Sequence, residues 1–178
     1  MSYQVHDIDG APVASKPLLE KAKSAFGFIP NILGVMAESP ALLEAYMTAS
    51  EVFEKTDFSA TEKQVVLLAV SQDNGCGYCK AAHSGIASMQ KVPDEVIKAV
   101  VEGQSIDDDK LEALRKFTQR VVSTRGNPKS SDIDAFLEAG YSKRHVLDVI
   151  AGVGMKTLSN YTNHIAETPV DKQFQGQS

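Results

Sequence analysis

The chain has 178 residues, 43% hydrophobic and 23% charged, with a net charge of -5, which suits one ordered globular domain spanning 1–178 and excludes a disordered chain. The acidic balance, with no basic stretch against it, argues against a nucleic-acid partner. The longest strictly apolar run, Val65 to Val70, is far too short to span a bilayer, so no membrane role is expected.

The opening "MSYQVHDIDG" is polar and acidic and lacks the basic-then-apolar order of a secretion signal, so a cytoplasmic location is expected. Residues 1–15 read as an extended arm that needs a surface to lie on. "KPLLEKAKSAFG" and "PNILGVMAE" are two short helices. "SPALLEAYMTASEVFEK" has Pro40 in its first turn after Ser39, with Leu42, Tyr46, Ala49 and Phe53 at helical spacing. "SATEKQVVLLAVSQDNG" opens with Ser59 and Glu62, the spacing of a capping box. Its "VVLLAV" could be a buried strand on pattern alone, but the cap and the length favour a helix buried on several sides. Asn74 and Gly75 end it.

The next helix runs from about Cys76 to about Gln90, and Pro93 and Asp94 open another through Glu102. "DDDKLEALRKFTQRVVSTRG" puts Leu111, Leu114, Phe117 and Val121 on one face, with an acidic start and a basic end that suit the helix dipole. "SSDIDAFLEAG" is a short helix. "SKRHVLDVIAGVGMKTLSNYTNHIAET" is the longest, with Val146, Ile150, Val153 and Leu158 expected to face inward. The tail from Pro169 is a second arm, leaving a core of about 16–168. The class is all-α, with eight to nine helices.

The two cysteines, Cys76 and Cys79, and a histidine, His83, fall in "NGCGYCKAAHSG". With a break at Gly75, Cys76 starts a helix, Cys79 follows one turn on, and His83 shares their face. A helix N-terminus stabilises a thiolate, a nearby histidine can take a proton, and the spacing allows a disulfide. These are the needs of a dithiol redox site. Two rivals are weaker. Buried free cysteines occur in many cores. Structural zinc wants four ligands, and here three candidates share one stretch with no second pair, so no metal and no cofactor are expected. In a reducing compartment a lone pair is seldom a structural staple. His145 reads as a solvated surface residue. Asn160 and His164 are four apart on the last helix; they could line a site from another helix or a neighbouring subunit, or form a satisfied core pair. "IDDD" at 106–109 reads as a solvated helix start.

"EKQVVLLAVSQDNGCGYCKAAHSG" resembles the core motif of the carboxymuconolactone decarboxylase superfamily, in its alkyl hydroperoxidase D (AhpD)-like branch. "FGFIPNILGVMAESPALLEAYM" and "SNYTNHIAETPVD" resemble the branch's N-terminal helices and its C-terminal helix and tail. The resemblance implies an all-helical fold, a homo-oligomer (trimer or hexamer), and thiol-dependent reduction of hydroperoxides. It implies electrons drawn from an external dithiol of lipoyl or thioredoxin type. Cys76, Cys79 and His83 match directly. The glutamate that joins the family's proton relay, twelve residues before the first cysteine, is Gln64 here. Glu62 lies two residues earlier, about 200° round the helix, so capping explains it better than catalysis. Where some members carry a second histidine this chain has Tyr78, which can hydrogen-bond in the site or pack.

The expected cycle has His83 helping to deprotonate Cys79, which attacks the peroxide and becomes a sulfenic acid; Cys76 resolves it to a disulfide. The dipole would favour Cys76 as the lower-pKa thiol, but the proximity of His83 favours Cys79 as the attacker. Cys76, at the helix edge, is then the sulfur that an outside dithiol would meet. Two alternatives stand beside it: another enzyme, a lactone decarboxylase, which does not need the cysteine pair, and, from another class, a binding or scaffold protein switched by its disulfide.

Overall fold

The structure, a computed structural model, describes residues 3–175. Among these residues nine α-helices carry the fold and no strand occurs. They are α1 (Lys16–Phe26), α2 (Asn31–Met36), α3 (Pro40–Phe53), α4 (Ala60–Asp73), α5 (Gly77–Met89), α6 (Asp94–Glu102), α7 (Asp109–Ser123), α8 (Ser130–Glu138) and α9 (Lys143–Ala166). Single 3₁₀ turns lie at Val13–Ser15 and Lys172–Phe174. No described helix is long and apolar enough to cross a membrane.

The ambiguous "VVLLAV" run lies in α4, and every residue from Gln64 to Ser71 is buried. A helix apolar all round needs neighbours on all sides. Here α5, α6, α7 and α9 surround it. Its start is the expected capping box: the Ser59 amide donates to Glu62 Oε2 at 2.8 Å and the Glu62 amide to Ser59 Oγ at 3.2 Å. Its end is Gly75, in the left-handed region with φ +67°, which turns the chain into α5 without the Cβ penalty another residue would meet.

Two apolar clusters fill the interior. One gathers α4, α6, α7, α8 and α9 around Val66, Leu68, Leu114, Phe117, Phe136 and Val149. The other gathers the N-terminal helices and α5 around Leu19, Leu33, Met36 and Leu43, and it contains Cys76 and Cys79. Tyr46 packs against both.

Helix α9 departs from expectation. Val149, Gly152, Met155, Lys156, Ser159, Asn160 and Asn163 are buried, whereas Ile150 is 52% exposed. Val146 and Val153 pack against the core only partly. Apolar periodicity traced the wrong stripe because the buried face of this helix is half polar. Gly152 sets its depth: a Cβ there would meet Phe53 and Val66 carbons at 2.8 Å. The bare glycine lets α9 lie close on α3 and α4, which brings the polar half of its face down onto α5.

Both arms lie on the body where the structure describes them. His6 is buried and contacts Glu38 through Nε2 at 2.6 Å. Asp171 and Phe174 are buried in the C-terminal arm. Expectations for residues 1–2 and 176–178 lie outside the described residues. His145 is not a free surface residue: its Nδ1 accepts from the Ser142 amide at 3.0 Å, and its ring sits 5.0 Å from that of Phe58.

Candidate active site

Cys76 is the N-cap of α5, with extended φ and ψ, and Cys79 is the third residue of the helix. Both thiols are free and buried, at 1% and 2% exposure. The sequence put Cys76 at an accessible helix edge. The structure covers it instead, because the start of α5 faces the second apolar cluster.

Helix α9 supplies the surroundings of the sulfurs. Asn163 Nδ2 donates to Cys79 Sγ at 3.2 Å and reaches Cys76 Sγ at 3.8 Å. Cys79 Sγ and Ser159 Oγ are 3.8 Å apart. The two thiols share one ionisation. Cys79 is held well below the ordinary thiol range, first by a hydrogen bond from Cys76, which outweighs burial, and then by the Lys156 charge and the Ser159 hydroxyl. Cys76 is pushed up, by that same bond to Cys79, by burial and by the Cys79 charge. The dipole argument for Cys76 therefore loses to direct hydrogen bonding: one sulfur can be an anion here, and the donors converge on Cys79.

A cavity of about 340 Å³ opens beside Cys79. Its walls include Phe26, Ile32, Leu33, Met47, Phe53 and Phe174, and its polar lining includes Cys79, His83, Gln64, Tyr46, Lys156 and Ser159. Cys76 is absent from the lining and sits behind Cys79. Burial first, and then the Lys156 charge, hold His83 well below the usual imidazole range, so it is neutral at pH 7. Its Nδ1 lies 3.1 Å from Gln64 Oε1, and Gln64 Nε2 donates to Gln90 Oε1 at 3.0 Å. With Gln64 Nε2 spent on Gln90, its oxygen accepts the Nδ1 proton. The neutral ring then keeps Nε2 as a lone pair, so His83 can take a proton but has none to give. Tyr46 is raised by burial, against the lowering effect of Lys156.

Of the residues singled out from sequence, Cys76, Cys79 and His83 come together. Gln64, where the resemblance would place a glutamate, touches His83. Glu62 stays in its capping box with Ser59 and pairs with Lys110 at 3.4 Å; it does not line the cavity. Tyr78 is a strut: its hydroxyl donates to Asp171 Oδ2 and accepts from the Ile32 amide at 3.3 Å. Burial, then the Asp171 carboxylate, raises its pKa. Asp171 also accepts from the Asn31 amide at 2.9 Å, so the C-terminal arm is tied across α2 and α5.

His164 is exposed, and Asn160, its expected companion, is buried and accepts from Asn74 Nδ2 at 2.9 Å. They form neither a site nor a core pair, because four residues advance about 40° round the helix, enough to carry His164 past the buried edge. The residues missed from sequence are Tyr46, Lys156, Ser159 and Asn163. The last three fall at i, i+3 and i+7, and that polar stripe within a long helix was the available signal.

Residues 40–119 match the carboxymuconolactone decarboxylase family. No curated protein is similar enough to count as a match. Among solved structures, a peroxidase-related protein from Ralstonia eutropha JMP134, described as the alkylhydroperoxidase AhpD core, is 21% identical over 97% of this chain and 93% of its own, with a TM-score of 0.83. A peroxidase-related protein from Silicibacter sp. TM1040 is 17% identical over 99% and 94%, with a TM-score of 0.82. The debrominase Bmp8 is 20% identical over 93% and 90%, with a TM-score of 0.77. A cysteine-to-alanine form of Bmp8 is known in complex with 2,3,4-tribromopyrrole. At these identities the likeness shows a shared fold.

Proposed function

We propose that the chain, with its match to the carboxymuconolactone decarboxylase family at residues 40–119 and its AhpD-like fold, belongs to the AhpD-like branch of that superfamily and is a thiol-dependent peroxidase acting on organic hydroperoxides. The observation that carries this reading is the asymmetry of the dithiol. Cys79 faces a cavity and is favoured as the thiolate, whereas Cys76 is held protonated behind it.

The Cys79 thiolate attacks the terminal oxygen of the hydroperoxide. An S–O bond forms, the O–O bond breaks, and its electron pair leaves on the alkoxide, which becomes an alcohol on protonation. Cys79 is then a sulfenic acid. Cys76 attacks it, the S–S bond forms, and hydroxide leaves with the Cys76 proton as water, which His83 Nε2 can relay. An external dithiol restores both thiols by exchange and is itself oxidised to a disulfide. The cavity far exceeds the volume of hydrogen peroxide, and its aromatic and aliphatic walls suit an organic substrate. Both sulfurs are buried, so a reductant must reach Cys79 through the cavity. A slim lipoyl arm suits that route better than a folded thioredoxin surface.

The test is consumption of tert-butyl and cumene hydroperoxide with dihydrolipoyl and thioredoxin donors, for the wild type and for the Cys76→Ser, Cys79→Ser double variant. Turnover that needs both cysteines supports the reading. A wild type that neither consumes peroxide nor forms the Cys76–Cys79 disulfide would sink it. A second reading rests on the same cavity: a thiolate against an aromatic-lined pocket also suits reductive removal of halogen from an aromatic ring. Bromide release from a bromopyrrole, with no peroxide turnover, would favour it.

Assembly belongs to the same proposal. Helix α9 leaves Leu147, Ile150, Tyr161 and Ile165 at 65%, 52%, 56% and 69% exposure along one side. Such a stripe suits contact with another copy of the chain. Light scattering should give a trimer or a hexamer, and a stable monomer at micromolar concentration would refute it.

A further inference from the structure

We propose that Lys156 is the counter-ion of the Cys79 thiolate and the acid that protonates the departing alkoxide. This assignment rests on the peroxidase reading above and adds to it a residue that the cysteine motif does not contain.

Lys156 is 1% exposed and lines the cavity with Cys79. It lies on the stripe of α9 that carries Ser159 and Asn163, whose side chains reach Cys79 Sγ at 3.8 and 3.2 Å. An ammonium buried without an anion is costly, by several kcal/mol in order of magnitude. Among the described residues no carboxylate pairs with Lys156. The two carboxylates in the cavity wall are exposed and engaged with other lysines, Glu51 with Lys21 and Glu54 with Lys63. The groups that face Lys156 are Tyr46 from α3, Cys76 and Cys79 from the start of α5, and His83 one turn on. Of these, His83 is held neutral, and Tyr46 and Cys76 are held protonated. Only the Cys79 thiol can supply the negative charge.

The second role follows from the tautomer of His83. An alkoxide leaving a peroxide needs a proton in the transition state. The neutral ring spends its only N–H on Gln64 Oε1, so it cannot donate. Tyr46 carries a hydroxyl whose acidity burial weakens. Lys156 brings three N–H groups to the same cavity. The proton balance closes over the cycle. The ammonium gives one proton to the alkoxide and becomes an amine. Formation of the disulfide releases water with no net proton. Reduction by the external dithiol returns two thiols, and the Cys79 proton passes to the Lys156 amine, which restores the ion pair.

The experiment uses Lys156→Met and Lys156→Arg, each in a Cys76→Ser background. Methionine keeps the length and volume, and replacing a buried charge with an apolar group of similar size is compatible with folding. The first readout is alkylation of Cys79 by iodoacetamide against pH. Lys156→Met should raise the midpoint by about two pH units, and Lys156→Arg should keep it near the parent value. The second is the rate of sulfenic acid formation above both midpoints, where the thiolate is complete. There Lys156→Met should slow alkyl hydroperoxides by roughly 100-fold. It should spare a peracid, whose carboxylate leaving group needs no proton. An unchanged midpoint, or an equal loss for both peroxide classes, would overturn the corresponding role. A wild type with no peroxide turnover would sink the peroxidase reading, while the alkylation curve would still decide the ion pair.

Discussion

Replacing Gln64 with glutamate would add a carboxylate against a ring that burial and Lys156 keep neutral. Gln64 is 2% exposed, and its oxygen lies 3.1 Å from His83 Nδ1. A unit charge about 4 Å from the imidazolium contributes about 4 kcal/mol at an effective dielectric near 20, or about three pKa units. Desolvation of the new carboxylate opposes part of that, so His83 should rise by about two units. Gln90 can turn its exposed amide to donate to the new group, so the local network survives. The assay is an NMR titration of histidine-labelled protein, with His83 assigned through His83→Gln among the four histidines. A charged ring carries a proton on Nε2 as well. Gln64→Glu should therefore restore part of the alkyl hydroperoxide rate lost in Lys156→Met. A His83 titration unmoved by Gln64→Glu, or a wild-type ring already titrating near 6.5, would refute the reasoning.

Asn163→Leu removes the donor to Cys79 Sγ. A hydrogen bond to a charged group contributes about 1.5–3 kcal/mol, so the Cys79 alkylation midpoint should rise by about one to two pH units. His83 is depressed in the folded state, so below the unfolded value near 6.5 the unfolded chain binds more protons. Stability should then fall with falling pH by about 1.4 kcal/mol per unit, down to the folded pKa. Urea unfolding from pH 5 to 8 should show that slope in the wild type and its loss in His83→Gln. Tyr78→Phe leaves Asp171 Oδ2 buried without its donor, which should cost about 1–3 kcal/mol and hasten proteolysis of the C-terminal arm. An arm equally resistant in Tyr78→Phe would show that Phe174 and Asn31 hold it without the tyrosine.

What was legible in the sequence was local. The capping box of Ser59 and Glu62 needs only two residues three apart. The break at Gly75 needs only one residue that tolerates positive φ. The cysteines and His83 sit on a single helix, so their mutual placement was visible too. The rest of the site crosses the fold. Cys79 is 80 residues from Ser159 and 84 from Asn163 in sequence, and no local rule links them. Lys156 was hidden by its type, since a lysine on a helix reads as solvated. Ranking α9 by its apolar residues selected Ile150, the spacing from Asn160 selected His164, and the buried polar stripe beside them went unread. Tyr46 was seen only as one of several core positions on α3, although it also faces the dithiol.

Gly152 and the stripe beyond it bear on when, in the order of the chain, the surroundings of Cys79 are completed. Ser159 and Asn163, which reach Cys79 Sγ, and Lys156 on the same stripe belong to α9, far downstream of α5. A chain with only α1 to α5 in place lacks all three of these side chains at its thiols and keeps only the contact between Cys76 and Cys79. The cavity beside Cys79 is complete only when α9 docks against α3 and α4, the close approach that the bare Cα of Gly152 permits. Synthesis order therefore places completion of the Cys79 surroundings last, after both cysteines and His83 are already in the chain.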